Sequence, residues 1–145
     1  MLKITFTVIL TFLILPCIAQ NTNADIIIGE WVNEEKDAKI EIYKSGAVYH
    51  GKLIWGVDYL EPDGKTSKKD INNTDEKLQS RLLLNSNILQ DFTFDDGVWD
   101  HGNMYDPKSG KTYSCVIKIH EDTLEIRSYV GIQLFGKTTY WKRSI

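Results

Sequence analysis

A chain of 145 residues has room for one domain. Its hydrophobic share of 42% and charged share of 26% exclude both intrinsic disorder and a fibrous repeat. A net charge of −3 with no basic stripe argues against nucleic acid and anionic membrane surfaces as partners.

The chain opens on a short basic start, Met1-Leu2-Lys3, followed by an apolar run from Ile4 to Leu15. Pro16-Cys17-Ile18-Ala19 then breaks the run and supplies small residues for a signal peptidase. The run is too short to span a bilayer and has no stop-transfer flank, so residues 1–19 are expected to be a signal peptide cleaved after Ala19. The mature protein would be secreted or periplasmic, with no stable membrane insertion. Proline directly before Cys17 suits lipoprotein processing badly, so lipidation is not expected. Residues 20–27 read as a flexible N-terminus, and 28–145 as a single domain. Cleavage leaves Cys115 alone, so no intrachain disulfide can form and the core must supply the stability. In its β-forming surroundings Cys115 reads as a small buried hydrophobe.

Strand signals then dominate. Gly29-Glu30-Trp31-Val32 opens the first strand. Ala38 to Tyr43 alternates apolar with polar residues, the pattern of a sheet with one wet face. Lys44-Ser45-Gly46 turns the chain into a strand from Ala47 to Trp55, with Tyr49, Gly51, Leu53 and Trp55 assigned to one face. Gly51 inside that strand suits a bend or bulge. Residues 57–74 break the pattern with turn chemistry. Thr74-Asp75-Glu76 reads as a helix start, and Leu78, Leu82 and Leu83 predict one short helix over 74–84. Strands return at 88–94, carrying Phe92 and Phe94, then at 98–105, 111–119, 123–130 and 137–143. The connections are mostly tight turns. Eight strands in sequential hairpins predict an all-β, antiparallel, up-and-down barrel.

Gly29-Glu30-Trp31 is the Gly-x-Trp pattern of the lipocalins and related calycins, which this chain resembles. That resemblance implies a tryptophan plugging one barrel end beneath an arginine of the last strand, roles that fall here to Trp31 and Arg143. Gly29, Trp31 and Arg143 are thus the expected closure residues. A guanidinium over an indole contributes roughly 0.5 to 2 kcal/mol.

Nearly the whole mature chain also resembles a family of bacterial exported proteins termed domain of unknown function 2147. The segments that carry this are Gly29 to Trp31; Asp70 to Asp75 with Leu78 and Arg81; Gly102 to Tyr113; and Leu124 to Arg127, running on through Gly131 and Gly136 to Trp141 and Arg143. Tyr105-Asp106-Pro107, followed by Gly110-Lys111 and Tyr113, is the most specific stretch. Thr74 and Leu82 stand where the family usually has proline, and Asn85 and Ser128 where it often has glycine. The resemblance implies a lipocalin-like barrel outside the cytoplasm and no particular activity.

The chemistry of catalysis is sparse. His50, His101 and His120 form no metal-binding pair, so no metal or cofactor is expected. Asp70, Asn72, Thr74 and Asp75 offer oxygen ligands but lack the glycine and distal glutamate of an EF-hand, and read as capping and turn residues. Asp95, Asp96, Asp100 and Asp106 read as turn formers. The aromatics say more. Tyr49, Trp55, Phe92, Phe94 and Tyr113, on the faces assigned to the interior, are the expected pocket lining. The reading is a non-catalytic exported barrel binding a small, partly hydrophobic molecule, with the oligomeric state left open. The alternative is a cell-envelope scaffold with a filled barrel; an enzyme using the 57–85 segment with Tyr105, Asp106 and Arg127 ranks third.

Overall fold

A computed structural model describes residues 23–145. The expected signal peptide, its cleavage after Ala19 and residues 20–22 lie outside the described residues. Eight strands follow in order: β1 (Gly29–Asn33), β2 (Ala38–Ser45), β3 (Val48–Gly56), β4 (Asn87–Asp95), β5 (Val98–Asp106), β6 (Lys111–His120), β7 (Thr123–Tyr129) and β8 (Lys137–Arg143). Each pairs antiparallel with its chain neighbour, and β8 returns to pair with β1, closing the barrel. The expected strand bounds hold to within a residue or two.

The turns explain why the chain reverses where it does. Gly46, Gly97 and Gly110 sit at φ of 62°, 80° and 71°, the left-handed region where a side chain would be strained. With short hairpins on every side but one, sequential pairing is the geometry that remains.

Inward residues of the lower half make one core: Ile27, Trp31, Ile40, Ile42, Tyr49, Leu89, Phe92, Trp99, Cys115, Ile117, Leu124 and Ile126. Gly102 makes room for this packing. A Cβ there would lie 2.5 Å from the Phe92 ring, so the aromatic occupies the volume the glycine leaves empty.

Two expectations need correcting. Residues 24–27, taken as flexible lead, form a 3-10 turn whose Ile27 is fully buried in the core. The helix expected over 74–84 is only a single 3-10 turn, Glu76–Leu78. The reason lies in burial: Leu83 is covered while Leu78 and Leu82 are exposed, so the three share no apolar face to hold a helix down. Residues 57–86 instead form an irregular excursion beyond the β3–β4 end of the barrel, pinned by two isolated bridges, Leu60 to Ser67 and Lys69 to Leu82.

Candidate functional site

The sealed end is built from both termini of the described chain. Trp31 is buried and donates its indole N–H to the Ile27 carbonyl at 2.9 Å. The Arg143 guanidinium lies 4.2 Å from the Trp31 ring centroid, donates to the Ile28 carbonyl at 2.7 Å, and also donates to the Ile26 carbonyl. Gly29 is required here twice over. Its φ is +130°, and a Cβ would come within 2.7 Å of the guanidinium. The three expected closure residues therefore act together, joined by the 24–27 turn.

Tyr49 belongs to the same floor. It is buried, and its hydroxyl donates to Asp25 at 2.6 Å, with the Lys44 ammonium 3.1 Å from the same oxygen. Burial and the Asp25 bond raise the Tyr49 pKa. The Tyr49 and Lys44 hydrogen bonds hold the Asp25 carboxyl below its usual range. Phe92 fills the middle of the core. Phe94 packs on Trp99 with centroids 4.8 Å apart, and Trp99 donates to the Ala24 carbonyl at 3.2 Å. Tyr49, Phe92 and Phe94 thus occupy the closed half, as packed core.

Trp55 goes elsewhere. A bulge between Lys39 and Ile40 in the β2–β3 ladder pairs Leu53 with the buried Ile40 and Trp55 with the outward Lys39. One extra residue turns Trp55 out of the barrel. There it lines a shallow cleft with Val57, Leu60 and Pro62.

Of the five expected lining residues, Tyr113 is the one at the open half. It pairs with Met104, which pairs in turn with buried Leu89, so both point inward. Thr139 and Trp141 join them from β8, opposite the buried Ile126 and Leu124. All four are only half-buried, and Met104 and Trp141 rest against the core. Trp141 donates its indole N–H to the Thr139 hydroxyl at 3.0 Å, which orients both groups. Met104, Thr139 and Trp141 were missed because alternation gives the face of a residue but not its height in the barrel.

The rim at this end is apolar. In the β7–β8 connection Val130, Ile132, Leu134 and Phe135 are 73%, 55%, 75% and 79% exposed. Arg127 holds that loop, donating to the carbonyls of Gln133 and Leu134 and to the Thr138 hydroxyl. Cys115 lies deep in the core, where burial pushes its thiol up to about 12 and keeps it protonated. Of the residues weighed for an enzyme, Tyr105 meets the 57–85 segment at Asp70, 2.6 Å away, and Asp106 and Arg127 are engaged elsewhere. Asp106 caps its own turn through Lys108 and Ser109, and Arg127 is spent on the β7–β8 loop. Among the described residues, no three His, Cys, Asp or Glu side chains cluster as a metal site would need.

A closed eight-stranded antiparallel barrel, plugged at one end by a first-strand tryptophan under a last-strand arginine, is a lipocalin-like barrel. The chain belongs to the family described as "Uncharacterized protein conserved in bacteria (DUF2147)", whose model matches residues 29–143. Among solved structures it is similar to one described as "Protein HP1028 from the human pathogen Helicobacter pylori belongs to the lipocalin family". The two share 26% identity over 82% of this chain and 83% of that one, with a TM-score of 0.72. No curated protein matches.

Proposed function

We propose that the protein is an exported, non-catalytic carrier that takes a small, partly apolar molecule into the open end of its barrel. The observation that carries this is a group of inward side chains, Met104, Tyr113, Thr139 and Trp141, that the barrel leaves only partly covered beside its buried core. A cup with an apolar wall, one hydroxyl pair and an indole is the usual composition of a small-molecule site. The apolar rim at Val130 to Phe135 gives such a ligand a surface to meet first.

Native mass spectrometry of protein recovered from the exporting cell tests the whole reading. The expected spectrum shows a chain beginning at Gln20 together with a bound small molecule that Met104→Trp, which fills the cup, displaces. A chain retaining residues 1–19 overturns export. A ligand held equally by the filled variant overturns the site.

The exposed loop also supports a second reading, a scaffold whose rim meets a partner protein of the cell envelope. In that case the native spectrum would show a stable protein complex and no small molecule.

A further inference from the structure

A second cavity lies on the outer wall of the barrel, and its chemistry differs from that of the cup. Asn103 pairs with Gln90 and Tyr105 with Thr112, one step from the inward Leu89, Met104 and Tyr113, so these four side chains face outward. The 57–86 excursion folds back over them and leaves a cavity of about 210 Å³. Its walls are Arg81, Tyr105, Gln90, Asn103 and Thr112, with Ile88 as an apolar patch.

The anchor is Asp70, a carboxylate only 1% exposed. It accepts the Tyr105 hydroxyl at 2.6 Å, the Asn73 amide at 2.8 Å and both Nε and Nη2 of Arg81 at 2.8 Å. Burial and the Asp70 bond push the Tyr105 phenol up to about 12, so it remains a donor. The segment is docked from below by Asn72, whose amide donates to the carbonyls of Pro107 and Lys108, each at 3.1 Å. Gly110 permits this approach, since any Cβ there would collide with the Asn72 carbonyl.

Burying a charge is costly, and a buried ion pair is weak evidence for added stability. What this one achieves is orientation: it fixes the guanidinium at the cavity wall with Nη1 unpartnered among the described residues. The amides of Asn103 and Gln90 and the hydroxyl of Thr112 flank it. Asp70 offsets the charge of Arg81, so the pair suits a monoanion better than a phosphate dianion. A planar fork matches a planar carboxylate. The volume is below that of drug-sized pockets. Asp70, Asn73, Arg81, Tyr105 and Gly110 all fall in the segments that carry the family resemblance, although they are far apart in the chain.

We infer that this outer cavity is a binding site for a small hydroxylated monocarboxylate, of the size and chemistry of a single sugar acid, held by Arg81 and Asn103. The site is independent of the cup inside the barrel.

Titration of the 15N-labelled protein with D-glucuronate, followed by NMR, tests it, with D-glucose as the comparison. The expected result is saturable shifts of the Arg81 Nε–H and of the Asn103 and Gln90 side-chain amides. Arg81→Lys keeps the charge but loses the fork, and should weaken binding by about tenfold or more. Asn103→Asp places a carboxylate on an exposed wall without disturbing the fold and should abolish the shifts. Absence of shifts, shifts unchanged in Asn103→Asp, or shifts confined to Met104, Tyr113 and Trp141 would each overturn the site. Glucose binding as well as glucuronate would overturn the carboxylate assignment.

Discussion

Asp25 joins the lead-in turn to the base of β3 through two partners, the Tyr49 hydroxyl at 2.6 Å and the Lys44 ammonium at 3.1 Å. Both favour its charged form, the hydroxyl more, and its pKa falls below the usual 3.8. A carboxyl that is more acidic folded than unfolded stabilises the fold fully above its unfolded pKa. That contribution is lost as pH falls through the folded value. Asp25→Asn should therefore lower the melting temperature near pH 6, by no more than a few degrees because the pair is solvent-exposed. The gap between variant and wild type should narrow as pH falls below the ordinary carboxylate value of 3.8 and through the lower folded one. Thermal melts followed by circular dichroism across that range are the check, and a constant gap would show that Asp25 acts through something other than its charge.

At the level of the strand, shape is set by where the alternation is interrupted. Gly102 opposes Cys115 across a register shift that follows Trp99, with His101 held at φ of 62°. The Phe92 ring fills the space where a Cβ would be. Gly102→Ala is expected to destabilise the protein by about 1–3 kcal/mol through overpacking, and Phe92→Leu in the same chain should recover part of that loss. Urea unfolding of the single and double variants measures both. If the two changes simply add, the glycine serves the backbone and not the aromatic.

The strands themselves were legible because pairs such as Ile40 and Ile42, or Leu124 and Ile126, alternate with more exposed polar residues. The irregularity at Gly51 was legible from the glycine itself, and the β2–β3 bulge was not. Trp55 leaves the interior because the ladder slips by one residue at Lys39, and nothing in the local sequence marks that slip. The missing helix has a similar cause. Residues 70–81 take their shape from partners more than thirty positions away, Tyr105, Pro107 and Lys108, and no local pattern contains them. The closure residues could be read from sequence because Gly-x-Trp and a terminal arginine form a pattern. The outer cavity could not, because its walls come from four separate stretches.

For the molecule as a whole, the decisive contact is between its first and last strands. Trp31 pairs with Arg143, Val32 with Lys142 and Asn33 with Trp141, so no strand is left with an open edge to recruit another chain. Val32 and Lys142 face away from the core, directly opposite one another, at a separation that a disulfide accepts in any antiparallel pair. Val32→Cys with Lys142→Cys should therefore oxidise within one chain, leaving the buried Cys115 untouched. Such a link closes a loop on the order of 110 residues, for which chain entropy alone allows up to about 4–5 kcal/mol, and strain takes back a share. The expected outcome is a monomer with a raised melting temperature that returns to the unlinked value on reduction. Cross-linked dimers instead would mean that β8 pairs with β1 of another copy, and the barrel would then close by exchange between chains.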